Sequence, residues 1–218
     1  MQSRIGQIIG SLYIRLRKGI ETFKGVDFIE SVGVNEIEIN KEIGNRYDIS
    51  NIKVLDQILK QCDITQEDVF ADFGCGKGAV LALAAKYPFC KVVGIEISKV
   101  LVDIAINNLS KMHIDRAEII CKDAREYDDI DKITYFYFFN PFPESVFKVV
   151  MKNIKESYLR NKRRIVIIYY NPVCDNVIID TRIFIKTDEV YKKNMCASIY
   201  IYSVQNTYNN KNCKYVKH

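Results

Sequence analysis

Histidine is scarce in this 218-residue sequence, and its cysteines are scattered. There are two histidines, His113 and His218, and the seven cysteines include no C-x-x-C pair. Zinc centres and disulfide frameworks need such ligands at characteristic spacings. We therefore expect no metal site and a reducing environment, which indicates the cytoplasm.

Long apolar runs are also missing. No segment approaches the roughly 18 consecutive apolar residues of a membrane span. The N-terminus lacks the continuous apolar stretch and cleavage site of a secretory signal. With 48% hydrophobic and 27% charged residues, the composition is that of an ordinary globular protein. The sequence predicts a cytoplasmic protein with room for one domain and a modest appendage.

Neither sign of charge dominates the chain. The formal net charge is +5, and the positive charge is concentrated in residues 1–20, 148–164 and 201–218, so the rest of the chain is net acidic. This mild balance demands no nucleic-acid partner. Residues 148–164 are basic enough to follow a nucleic-acid backbone, but they lead into the start of a predicted strand, opposite the edge where ligands bind. We interpret them as a solvated face.

Glycine is absent from the second half of the sequence. All ten glycines lie at or before Gly94, and three of them crowd into Gly74, Gly76 and Gly78. Glycine allows backbone conformations and close approaches that other residues resist. A ligand site is therefore expected first at this cluster.

Three parts are predicted along the chain. Residues 1–47 comprise an amphipathic helix over 1–24 and a linker, residues 48–205 form the main domain, and residues 206–218 form a basic tail. The apolar stripe of the helix needs a partner. It can pack on the main domain or on a second copy of the chain, or its basic side can lie on an anionic membrane surface.

The main domain alternates strand-length apolar runs with helical patterns. Predicted strands are 69–73, 91–97, 117–121, 134–139, 164–170, 183–191 and 197–204, and predicted helices are 51–61, 78–87, 98–109 and 144–158. This alternation favours right-handed βαβ units. The last two strands have too short a connection for a crossover and should form an antiparallel hairpin. The fold class is α/β, a doubly wound, mainly parallel seven-stranded sheet with helices on both faces and a C-terminal antiparallel hairpin.

The glycine cluster stands where the first predicted strand meets its helix. Ligands of open α/β sheets bind outside the carboxyl ends of the strands. Glu96 ends the next strand, 18 residues after Gly78, where a carboxylate can accept hydrogen bonds from ribose hydroxyls. The alternative is a tight turn with Glu96 as a solvated strand terminus. The spacing is G-x-G-x-G rather than the dinucleotide G-x-G-x-x-G, and the acid Asp72 precedes it, which would repel a pyrophosphate but suit a cationic amino group.

These residues resemble motifs of a known family. The run D-F-G-C-G-K-G at 72–78 resembles motif I of the class I S-adenosylmethionine-dependent methyltransferases, G-I-E at 94–96 resembles their motif II, and K-D-A at 122–124 resembles motif III. The resemblance implies that S-adenosylmethionine is the cofactor, with Asp72 at its methionine end, Glu96 at the ribose and Asp123 at the adenine. Asp123 could instead cap a turn. The full set of implied cofactor-binding residues is Asp72, Phe73, Gly74, Cys75, Gly76, Gly78, Glu96, Ile97, Asp123, Ala124 and Asn140.

The fourth strand ends in a further motif. Asn140 and Pro141 match the family's motif IV, whereas Phe142 replaces its second proline. Asn140 and the Pro141 carbonyl can accept N–H bonds of an amine, while Phe142 or Phe139 lies against the developing cation. The segment is also similar, over a few residues, to the Asn-Asn-Phe of non-SET lysine methyltransferases. Asn140 could instead be a turn residue that caps the next helix.

The resemblance implies an enzyme whose catalytic residues are Asn140, Pro141 and Phe142. The acceptor is expected to be an amine of a protein lysine or a small molecule, since the stretch before residue 48 is short for an added RNA-binding domain. RNA (tRNA or rRNA) stays open as acceptor. A non-catalytic cofactor-binding or scaffold subunit is the rival from another class, and a Rossmann dehydrogenase is disfavoured by the glycine spacing.

Overall fold

The computed structural model of the chain describes residues 25–28, 52–192 and 195–202. The predicted helix over 1–24 and the basic tail 206–218 lie outside these residues. Within the described part, the strands are β1 Val69–Phe73, β2 Lys91–Glu96, β3 Ala117–Cys121, β4 Tyr135–Phe139, β5 Val166–Tyr170, β6 Phe184–Lys192 and β7 Met195–Tyr202. The helices are α1 Ile52–Leu59, α2 Ala79–Ala84, α3 Lys99–Lys111, α4 Glu144–Arg160 and α5 Asp175–Ile179.

All seven strands belong to one sheet in the order β3-β2-β1-β4-β5-β7-β6. Strands β1 to β5 pair in parallel, and β7 lies antiparallel between β5 and β6. The predicted mainly parallel sheet and its C-terminal hairpin are thus confirmed. The strand order reverses between β1 and β4, and such a switch point opens a crevice at the carboxyl ends of the strands.

Both faces of the sheet are buried, because alternate residues of each central strand point to opposite sides. On one face Phe70 and Tyr137 pack with Leu55 of α1 and Leu81 of α2. On the other face the aromatic side chains of β4 and β5 pack with α4 and α5, through Phe136, Phe138, Tyr169, Phe147 and Ile178. The predicted helices on both faces are therefore present, and the doubly wound class is confirmed.

Three local predictions differ from the structure. Helix α2 ends at Ala84 instead of continuing to residue 87, because the next amides, of Lys86 and Tyr87, bond three residues back and tighten the last turn. Helix α5 was not predicted, since its five residues are too short to show a helical period. Within the basic segment 148–164, Arg163 is not simply solvated: its guanidinium donates to the carbonyl oxygens of Ile130 and Ile133, both at 2.7 Å.

Candidate cofactor and acceptor site

The glycine turn between β1 and α2 uses left-handed backbone at all three glycines. The φ angles are 85° at Gly74, 52° at Gly76 and 83° at Gly78. A Cβ added at Gly74 would lie 2.6 Å from the Cβ of Pro141, closer than such atoms approach. Gly74 therefore serves two needs, a left-handed turn and direct packing of the turn on the segment that follows β4.

Backbone hydrogen bonds fix this turn against β2. The amides of Gly74 and Cys75 donate to the Ile95 carbonyl at 2.8 and 3.2 Å, and the Gly78 amide donates to the Cys75 carbonyl at 2.9 Å. The Cys75 thiol is buried against Gly94, and burial raises its pKa well above the usual range. Cys75 is thus an inert packing residue, and only its backbone is available to a ligand at this turn.

The Glu96 carboxylate accepts a hydrogen bond from the middle of the glycine turn. Its Oε2 accepts the Gly76 amide at 3.0 Å and its Oε1 accepts the Ser98 amide at 2.9 Å. Burial raises the pKa of Glu96, and backbone N–H bonds from Ser98, Gly76 and Ile97 oppose that rise. Because each carboxylate oxygen has two lone pairs, each can still accept a hydroxyl of a ligand.

Asp72 is the second buried acid of the site. Its side chain is 3% exposed, and it lies opposite Gly94 in the pairing of β1 with β2. Burial, and next the negative charge of Glu96, raise the pKa of Asp72 well above its usual range. Buried acids with perturbed pKa values at the mouth of a crevice are typical of functional sites. A cationic ligand group would favour the ionised form of Asp72.

The third predicted cofactor residue, Asp123, follows β3 on the same edge of the sheet. Its neighbour Lys122 donates its amide to the Glu96 carbonyl at 3.0 Å, which ties this loop to β2. The Asp123 carboxylate is paired with Arg125 at 2.6 Å, and that hydrogen-bonded pair lowers its pKa. Ala124 is buried beside it, and Ile97 is exposed at the end of β2.

The Phe73 side chain points away from this edge. It packs within the core against Phe136 and Phe138, so only its backbone borders the turn. Two of the predicted cofactor positions, Phe73 and Cys75, thus have side chains directed into the protein.

The motif after β4 sits beside the glycine turn. Asn140 has φ of 40°, a left-handed conformation that asparagine tolerates better than most residues, and its Oδ1 accepts the Tyr169 hydroxyl at 3.4 Å. Phe142 is 9% exposed and packs edge-on to Phe138, so its ring belongs to the core. Phe139, half-buried at the end of β4, is the more accessible aromatic side chain.

The structure adds three residues that the sequence patterns did not indicate: Asp27, Lys77 and Asn108. The Lys77 side chain is fully buried behind the turn, with its Nζ 2.5 Å from Asp27 Oδ2. Asn108 of α3 contacts both of them through hydrogen bonds. The alternation of apolar Val26 and Phe28 around Asp27 was the available signal that this short segment docks on the domain.

Among residues 25–28, 52–192 and 195–202, no three His, Cys, Asp or Glu side chains come together as metal ligands would. None of the helices in this described part has the length and apolar character needed to cross a membrane.

Comparisons with known proteins agree with this geometry. The family model described as "Histone methylation protein DOT1" matches residues 44–133, under half of the chain. An RNA methyltransferase structure from Salinibacter ruber, a complex with S-adenosyl-L-homocysteine, aligns with a TM-score of 0.56 at 18% identity and covers 75% of this chain and 98% of that one. The partial match to a methyltransferase family model and the fold shared with methyltransferase structures support the interpretation of this chain as a class I S-adenosylmethionine-dependent methyltransferase. A SAM-dependent O-methyltransferase from Thermotoga maritima aligns with a TM-score of 0.57 at 17% identity, covering 75% and 69% of the two chains.

Two curated proteins are similar to parts of this chain. The tRNA (guanine-N(7)-)-methyltransferase of Pediococcus pentosaceus is 26% identical over 110 residues, which is 44% of this chain and 51% of that protein. The pavine N-methyltransferase of Thalictrum flavum is 29% identical over 96 residues, 44% of this chain and 26% of that protein. The chain thus spans about half the length of the first relative and about a quarter of the second.

Proposed function

We propose that this chain is a class I methyltransferase, which binds S-adenosylmethionine at the carboxyl ends of β1 and β2 and transfers its methyl group directly to an amine nitrogen. The observation that carries the proposal is the pair of buried acids, Asp72 and Glu96, beside a glycine turn that packs on Pro141. The glycine turn, where the cofactor would bind, is therefore in contact with the motif after β4, where the acceptor would bind. A direct transfer between two bound molecules requires such proximity.

The acids suit the two ends of such a cofactor. Asp72 would ionise beside the cationic amino group of the methionine part, because a nearby positive charge offsets the burial that now raises its pKa. Glu96, held by the amides of Gly76 and Ser98, would accept the ribose hydroxyls through its remaining lone pairs. Asp123 would accept the adenine amino group by sharing its carboxylate with Arg125.

The acceptor would lie against the motif after β4. S-Adenosylmethionine supplies an electrophilic methyl group on a sulfonium. Asn140 Oδ1 and the Pro141 carbonyl would accept the N–H groups of a neutral amine and aim its lone pair at that methyl carbon. The new N–C bond would form as the S–C bond breaks, and the sulfur would keep the electron pair as a thioether. The proton on nitrogen would then pass to solvent, and the half-buried ring of Phe139 would stabilise the developing cation.

A protein lysine or a small amine is the favoured acceptor. The match to the DOT1 model and the likeness to an N-methyltransferase support it. RNA is the second candidate, because the curated relative with the longer match acts on tRNA and an RNA methyltransferase aligns over 98% of its own length. A non-catalytic cofactor-binding or scaffold subunit would keep the same turn without transferring a methyl group.

The test is methyl transfer from labelled S-adenosylmethionine into a host lysate, separated into protein, RNA and small-molecule fractions. We expect label in the protein or small-molecule fraction with the wild-type chain and at least about 100-fold less with Asn140→Ala. Label in RNA, with retention on RNA that falls steeply as salt rises, would replace the amine proposal. Cofactor binding without label in any fraction would favour the scaffold.

A further inference from the structure

A short docked segment, residues Gly25–Phe28, packs on the domain beside the glycine turn. The side chains of Val26 and Phe28 are 7% and 8% exposed and belong to the core on the α1 and α2 face of the sheet. The Gly25 carbonyl accepts Lys111 Nζ at 2.6 Å. This segment is therefore fixed to the domain by apolar burial and by a contact at the end of α3.

Asn108 joins the docked segment to the turn. Its Oδ1 accepts the Asp27 amide at 2.8 Å, and its Nδ2 donates to the Asp27 carbonyl at 2.7 Å and to the Lys77 carbonyl at 3.0 Å. Asn108 is fully buried. Ala105, which lies on α3 together with Asn108, packs against Gly78 of the turn. One buried amide thus bonds the backbone of the docked segment and the backbone of the turn at once.

Lys77 places a buried positive charge within the turn. Its side chain is 0% exposed, whereas its partner Asp27 is 37% exposed and so contacts both the ammonium and solvent. The next residue back, Gly76, donates its amide to Glu96 at 3.0 Å. Asp27 is therefore linked through the Lys77 side chain, and through its chain neighbour Gly76, to the Glu96 carboxylate, which the proposed function places at the ribose of the cofactor.

We infer that Asp27 and Asn108 are positioning residues for the cofactor, acting through Lys77 to hold the glycine turn in its binding geometry. This inference rests on the proposed function. Removing the Asp27 charge leaves a buried ammonium without this counter-charge, and the cost is relieved by shifting Lys77 and the turn around it. Residues 25–28 then belong to the cofactor-binding unit, although the sequence patterns assigned them to a linker.

The experiment compares Asp27→Asn with Asp103→Asn. Asp103 pairs with Lys99 on the exposed surface of α3, so the control makes the same chemical change in an ion pair that contributes little. Two quantities are measured: the Kd for S-adenosylmethionine by calorimetry, and hydrogen exchange of the amides of residues 74–78 in the ligand-free protein. We expect Asp27→Asn to raise the Kd about tenfold and to speed that exchange about tenfold, and Asp103→Asn to change both less than about twofold.

Equal Kd and equal exchange in Asp27→Asn and wild type would overturn the inference, even if the melting temperature falls. If Asp27→Asn does not fold, the double variant Asp27→Asn/Lys77→Met removes the buried charge as well. It should fold and protect residues 74–78 from exchange, and failure to fold would overturn the inference too. A wild-type chain that does not bind S-adenosylmethionine would instead refute the proposed function, while the exchange comparison would still test the docked segment.

Discussion

The two halves of the carboxyl edge of the sheet are built by different means. At the ends of β1 and β2, glycines in left-handed conformations and backbone hydrogen bonds surround the buried acids Asp72 and Glu96. At the ends of β4 and β5 the described residues include no glycine, the left-handed positions are Asn140 and Asn171, and the core beneath is aromatic. The proposed function assigns ligand recognition to the charges and backbone of the first half, and orientation of the acceptor to the few polar groups above the aromatic core of the second half.

The largest expected effect is at the contact between the halves. Gly74→Ala would force a left-handed alanine and a Cβ 2.6 Å from Pro141, whereas a Cβ at Gly78, with the same sign of φ, would lie 3.3 Å from Ala105. The left-handed backbone alone costs about 1–2 kcal/mol. We expect kcat/KM to fall more than about 100-fold in Gly74→Ala and about tenfold in Gly78→Ala. Equal losses would show that the contact with Pro141 has no role of its own.

Two asparagines at strand ends, Asn140 after β4 and Asn171 after β5, are expected to differ in their effect on kcat. Asn140 and Asn171 both have left-handed backbone and are half-buried at strand ends. The backbone N–H of Asn171, however, continues the sheet by donating to the Cys196 carbonyl at 2.8 Å. We expect Asn140→Ala to lower kcat about 100-fold with little change in the Kd for S-adenosylmethionine. Asn171→Ala should keep kcat within about threefold. Similar kcat values in the two variants would contradict the acceptor role of Asn140.

The free energy of unfolding should depend on pH through Asp72, a buried acid of the first half. Because the folded-state pKa of Asp72 is raised, the ligand-free protein keeps a proton there that the unfolded chain releases, so stability from this group is present at low pH and falls as pH rises above about 4. Asp72→Asn should therefore have a higher free energy of unfolding than wild type at pH 8, measured by denaturant titration, and the difference should shrink at pH 5.

The same two proteins supply the control for this prediction. S-Adenosylmethionine should stabilise the wild-type chain at pH 8 and should not stabilise Asp72→Asn. A variant less stable than wild type at pH 8, or stabilised equally by the ligand, would contradict the assignment of Asp72.

The smallest effect is expected at the edge of the first half. Arg125, whose side chain is 40% exposed, pairs with Asp123, whose side chain is 13% exposed, and ion pairs screened by solvent on one side contribute little free energy. Arg125→Gln frees the Asp123 carboxylate for an adenine amino group, so the Kd for S-adenosylmethionine should fall by no more than about threefold. A higher Kd in Arg125→Gln than in wild type would mean that Arg125 itself contacts S-adenosylmethionine.

The sequence predicted most of the first half and less of the second. Strands β1 and β3 were predicted at their observed bounds because short apolar runs end at turn residues. Helix α3 was predicted to begin at residue 98, and Ser98 is its N-cap, with Oγ accepting the Leu101 amide at 3.4 Å. The docked segment at Asp27 and the burial of the Phe142 ring depend on contacts between residues far apart in the chain. No local pattern encodes such contacts, so they were found only in the structure.

Calorimetric titration of the purified chain with S-adenosylmethionine and, separately, with NAD tests whether the carboxyl edge at β1 and β2 is an S-adenosylmethionine site. We expect saturable binding of S-adenosylmethionine, competition by S-adenosylhomocysteine, loss of binding in Asp72→Asn, and no heat with NAD. A chain that binds NAD and does not bind S-adenosylmethionine would contradict this assignment.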